Sequence, residues 1–192
     1  MIKKISTTKW TLIGIGIFLL LMVFWFVGAY NSLITLSESV DTSWAQVENQ
    51  YQRRADLIPN LINTVKGYAA HEKELFTEIT ELRSQWAKAT TRQGKIAAAN
   101  GLDGALGRLL LVAENYPQLK AGENFLALQA QLEGTENRVA VERKRYNDAV
   151  RVYNIKIKRI PTNVVAGMFD YEKETYFEAD EKTEKVPVVS FE

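Results

Sequence analysis

The chain has 192 residues, a formal net charge of +1, 46% apolar and 24% charged residues, one histidine and no cysteine. That composition excludes a collagen-like, wholly disordered or disulfide-stapled chain. Near-neutrality argues against a dedicated nucleic-acid binder, so no nucleic-acid partner is expected.

Residues 1–10 form a basic flank with Lys3, Lys4 and Lys9. No charge occurs from Trp10 to Ser37, and residues 11–30 are almost wholly apolar. Twenty helical residues at about 1.5 Å each cover roughly 30 Å, the thickness of a bilayer's hydrocarbon. A single transmembrane helix over 11–30 is expected, with the lipid bilayer as its partner. The rival is a cleavable signal peptide, with Val27-Gly28-Ala29 as a small-residue cleavage site, but the apolar run is longer than the usual signal core. The first cation after the run is Arg53, so the positive-inside rule predicts a single pass of the cell (inner) membrane, a cytoplasmic N-terminus and a bundle on the outer, periplasmic side.

Beyond the span, Leu33, Val40, Trp44, Val47, Tyr51 and Ile58 recur at three- and four-residue steps, one stripe of an amphipathic helix. Leu61, Val65, Tyr68, Leu75, Phe76, Ile79, Leu82 and Trp86 continue the period. Asp56 can cap a new helix with Pro59 in its first turn, which divides this stretch into two helices, with one long kinked helix as the alternative. The Gly- and Asn-interrupted run 93–104 places a turn within or just before it. A third helix then reaches about Asn115, before Tyr116-Pro117. Gly101, Gly104 and Gly107 are read as close helix packing or a loose helix start. The fourth helix runs from about Glu123 and carries Phe125, Leu128, Leu132, Val139, Tyr146, Val150, Tyr153, Ile157 and Ile160 before Pro161 ends it. The fold class expected is all-α: an N-terminal transmembrane helix, then a long antiparallel up-and-down four-helix bundle over 31–162. Residues 163–192 form an irregular C-terminal tail that lies back on the bundle, its end, with Val186-Pro187-Val188-Val189, frayed or an edge strand for a partner.

No catalytic, cofactor or metal constellation is expected. His71-Glu72 lacks the second histidine of a zinc helix motif, and one histidine cannot supply a di-iron bundle. His71 is read as an interfacial histidine bonded to a carboxylate on a neighbouring helix, with a pH-sensitive contact as the sharper alternative. Arg53, Arg54, Asp56 and Asn60 form a polar knot at the first helix junction, for capping and interhelical ion pairing or for contact with a ligand or partner. Tyr146-Asn147 and Tyr153-Asn154 repeat one heptad apart, with the tyrosines on the core stripe, a pattern read as packing against another helix. Residues 135–160 carry eight cations, among them Arg143, Arg145 and Arg151, against three anions, whereas residues 170–192 carry eight anions against three cations. These opposed surfaces neutralise each other, or the basic face meets anionic lipid or another subunit's tail.

The runs RRADLIPNL (53–61), KGYAAHE (66–72), ENYPQLKAGENF (114–125), GTENRVAVERKRYNDAVRVYN (134–154) and the exit Ile160-Pro161-Thr162-Asn163 resemble the LemA family. The usual Phe-Pro at the last long helix is here Ile160-Pro161, and no family pattern is recognised after Ala179. The resemblance implies a single-pass bacterial membrane protein with a long helical bundle and no established enzymatic activity. Some relatives are associated with making magnetosome membranes, so membrane organisation is the class it favours. The expected function is a non-enzymatic envelope scaffold that works as a homo-oligomer. The alternative is an adaptor for another envelope membrane protein such as a peptidase, and an enzyme of unrecognised type comes third.

Overall fold

The computed structural model describes residues 7–69 and 71–177, with side chains from residue 9. Among them there are helices and no strands: α1 (Thr7–Lys66), α2 (Lys73–Lys88), α3 (Arg92–Glu114), α4 (Pro117–Lys120), α5 (Glu123–Lys158) and α6 (Thr162–Met168). Lys3, Lys4 and the chain end with Val186 to Val189 lie outside the described residues.

The apolar N-terminal segment belongs to a 60-residue helix. Large apolar residues from Trp10 to Val27 are exposed all round it, whereas Ala29, Leu33, Val40, Val47, Tyr51 and Ile58 further on are buried. A helix that is apolar on every side and unpacked is a candidate membrane span. α3 is also long and apolar enough by length and composition. Its Ala98, Leu102, Leu106 and Leu109 are instead buried in a protein core.

The chain divides into two compact units: residues 1–42 with 149–174, and residues 43–148 with 175–192. In the first, Leu33, Val40, Val150, Tyr153 and Val165 are buried. In the second, Ile58, Leu61 and Val65 of α1 pack with Phe76 and Ile79 of α2, Leu102 and Leu106 of α3, Leu119 of α4, and Phe125 and Leu132 of α5.

Two boundaries differ from the sequence expectation, at Pro59 and after Pro161, and the turn before α3 falls at the earlier of the two places expected. α1 runs unbroken through Pro59. Proline deprives the Ala55 carbonyl of its helical donor, and Arg83 Nε of α2 donates to that oxygen instead, at 2.9 Å. The turn before α3 falls at 89–91, where the Thr91 hydroxyl accepts from Gly94 N, and the glycine-interrupted run itself is helical. Gly101 is a close helix approach, since a Cβ there would meet Leu82 Cδ2 at 2.8 Å, whereas nothing lies within 4 Å of Gly104 or Gly107. After Pro161, residues 162–168 are helical, and the irregular stretch begins only at Phe169. Asp170 there takes the left-handed region (φ 54°), which aspartate tolerates better than most residues.

Candidate functional site

Heptad steps along α1 pass Leu33, Val40, Val47, residue 54 and Leu61. Position 54 thus lies on the buried stripe but holds an arginine, 4% exposed. Its Nη1 is 2.8 Å from Asp103 Oδ1 of α3, and its Nη2 is 3.6 Å from Glu136 Oε2 of α5. The other Asp103 oxygen accepts from the Tyr51 hydroxyl at 2.9 Å and from Arg143 Nη2 of α5. One carboxylate therefore ties α1, α3 and α5 together in the second unit.

Two aromatic rings flank the second arginine. The Arg143 guanidinium sits 4.2 Å from the Phe177 ring centre and 5.3 Å from that of Tyr51, and these two rings stack 6.0 Å apart. A cation within about 6 Å of a ring centre is attracted to it. Trp44 adds an edge contact to Tyr146 at 5.2 Å. Burial pushes the Asp103 carboxyl up to about 6, against the opposing pull of Arg54. Burial also lowers Arg143 to about 10. Arg54 Nε and Arg143 Nε are buried with no hydrogen-bond partner among the described residues, so desolvation offsets part of the attraction. The Asp103 oxygens are engaged by Arg54, Tyr51 and Arg143, an arrangement that fixes helices against one another.

The Tyr-Asn heptad on α5 holds a stretch of backbone. In the second unit, Asn147 accepts from Phe177 N at 2.8 Å and donates to Phe177 O at 2.9 Å, while the Tyr146 hydroxyl donates to Thr175 O at 2.7 Å. In the first, Asn154 accepts from Glu174 N and donates to Glu174 O, both at 2.9 Å, and the Tyr153 hydroxyl donates to Glu172 O at 2.8 Å. Burial, then the nearby Glu174, raises the Tyr153 hydroxyl, which keeps it a donor. An asparagine bonded to both the N–H and the C=O of one residue imitates a neighbouring strand.

The sequence-predicted polar residues do not stay together. Arg54 is buried in the network, whereas Arg53, Asp56 and Asn60 are exposed, and Asp56 accepts from Gln52 one turn earlier. Residue 54 lies on the inward heptad and its neighbours do not, so the expected knot separates. His71 lies exposed in the turn between α1 and α2, not at a helix interface, and Glu72 occupies the N-cap of α2 without a side-chain cap bond. Arg145 pairs with Glu142 on the surface of α5, and Arg151 is exposed. Arg143 turns inward, so the basic run of α5 is not one solvated face. The Tyr-Asn repeats hold residues 172–177 through their hydrogen bonds, and the Tyr146 ring also packs on another helix, against Trp44 of α1. Neither Asp103 nor Arg83 stands out in the sequence as a motif residue, and Tyr51 is expected there only as part of the apolar stripe. For Asp103 a signal existed, since it is the sole acid between Arg92 and Ala113. No three histidine, aspartate or glutamate side chains converge as a metal site among the described residues.

A family model described as LemA family matches residues 43–191. Magnetosome protein MamQ 2 of Paramagnetospirillum magneticum is 28% identical over 175 residues, 78% of this chain and 64% of its own length. Magnetosome protein MamQ of Magnetospirillum gryphiswaldense is 25% identical over 174 residues, 77% of this chain and 64% of its own. Protein LemA of Metamycoplasma hominis is 25% identical over 181 residues, covering 94% of this chain and 81% of its own. The chain thus spans just under two-thirds of the length of the magnetosome relatives it matches.

Proposed function

Because the chain belongs to the LemA family, we propose that it is a membrane-anchored, non-catalytic helical scaffold that self-associates and organises proteins or lipid at the cell membrane. The observation that carries this reading is α1, whose apolar residues from Trp10 to Trp25 are exposed and which continues as one helix into the packed residues. Two of the relatives are named as magnetosome proteins, which favours a role in membrane organisation.

The packed helices α1, α2, α3 and α5 are read as an antiparallel up-and-down four-helix bundle, supported by their short connections at 67–72, 89–91 and 115–122. Lys3, Lys4 and Lys9 favour an N-terminus in the cytoplasm and the remaining helices on the outer face. Anchoring confines copies to a plane and raises their effective concentration, so weak contacts along α5 and the acidic tail suffice for lateral assembly. The test is full-length protein in detergent or nanodiscs, sized by light scattering and viewed by negative stain. Multi-copy, regular particles support the scaffold. A stoichiometric second protein on copurification from its host, with monomeric particles, would instead favour the adaptor.

A further inference from the structure

The first unit carries an apolar and basic surface that packing among the described residues does not cover. α6 buries Thr162, Val165 and Ala166 on one side. On the other it exposes Val164 (60%) and Met168 (64%), one turn apart, and the flanking Ile160 (85%) and Phe169 (44%) are also exposed. Apolar clusters of this kind mark contact with a partner or a membrane.

Its place along α1 says which. The Phe169 ring centre lies 4.5 Å from that of Tyr30 and 6.2 Å from that of Phe26. Both rings belong to the apolar segment 11–30, and Phe26 sits four residues, about 6 Å, inside its end. A side chain touching both is therefore at the edge of the hydrocarbon whenever that segment spans a bilayer. Lys158 and Arg159, immediately before this surface, are exposed. Apolar side chains at the acyl boundary with cations beside them are the pattern of an interfacial helix on an anionic membrane.

We propose that residues 158–169 are a second membrane contact, lying in the headgroup region of the leaflet through which α1 emerges, with Ile160, Val164, Met168 and Phe169 at the acyl boundary and Lys158 and Arg159 on anionic headgroups. This rests on the reading of α1 as a membrane span and adds that the chain returns to the same surface nearly 130 residues later. Such a contact gives the chain a second point of attachment to the bilayer besides α1.

The chain has no cysteine, so single labels are unambiguous. Full-length Val164→Cys, Met168→Cys and Leu20→Cys variants, each carrying an environment-sensitive fluorophore, are placed in nanodiscs containing phosphatidylglycerol and challenged with iodide or with nitroxide lipids. The expected result is at least about twofold quenching of the 164 and 168 labels by lipid with the nitroxide near the headgroup, little quenching by iodide, and quenching of the Leu20 label by lipid with a deep nitroxide. Iodide quenching at 164 and 168, with the Leu20 label still reached by lipid, overturns the second contact and leaves the anchor standing. Shielding of both labels from iodide and lipid alike also overturns it, in favour of cover by protein. If lipid fails to reach the Leu20 label, the anchor reading falls and the second contact falls with it.

Discussion

Asp103 carries the heaviest load of any single side chain in the second unit, since Arg54, Arg143 and Tyr51 all meet its carboxyl. Removing one member of a buried ion network leaves the others uncompensated, at a cost of about 3–5 kcal/mol. Asp103→Ala should therefore lower the unfolding free energy by that order in denaturant titrations, and a loss below about 1 kcal/mol would show that the network does not hold the helices together. Its titration adds a signed test. Burial raises Asp103 from 3.8 to about 6, so between those values the folded protein holds a proton that the unfolded chain has released. The stability contributed through this group rises as pH falls through 6. Thermal unfolding of wild type and Asp103→Asn at about pH 7 and about pH 5 should show the wild type gaining on the variant at the lower pH, and a flat difference or a loss contradicts the account. Half of this site was legible in the sequence. Arg54 interrupts an otherwise apolar heptad and so had to be a buried cation. Its partner was not legible, because which acid meets it depends on how α3 is placed, and the nearer Asp56 was the obvious but wrong choice.

At the scale of elements, the periodicity of α1 and α5 located their buried stripes almost residue by residue, because long helices repeat one geometry. Pro59 misled, since local sequence reports the missing donor but not the side chain that replaces it. The Arg83 contact to Ala55 O explains the continuous helix and predicts coupling. Arg83→Leu should cost about 1–3 kcal/mol, as for an orphaned buried acceptor, and markedly less in a Pro59→Ala background, where the backbone N–H returns. Equal costs in both backgrounds would show that Arg83 does not substitute for the lost bond. The Tyr-Asn heptad was visible as a repeat, yet its use was not, because helix-on-helix packing and capture of an extended segment demand the same spacing. Asn147→Ala should speed amide exchange at Phe177, and Asn154→Ala should do so at Glu174, each loss being about 1–3 kcal/mol for two hydrogen bonds. Unchanged protection at both amides would show that these side chains do not hold the segment.

At the scale of the whole molecule, the net charge of +1 conceals strong partition: three cations before the apolar segment, a basic α5 and an acidic end. The structure uses part of that basic run internally, through Arg143, and leaves Lys144 and Arg145 exposed on α5. The orientation proposed for the chain predicts that protease added to intact spheroplasts cleaves the helices after residue 30, whereas cleavage only after lysis would reverse the topology. Self-association is read directly from the copy number of the full-length protein in detergent and in nanodiscs. Particles of several copies that persist on dilution and share a regular outline in negative stain are expected; a single copy per particle at every concentration would contradict self-association.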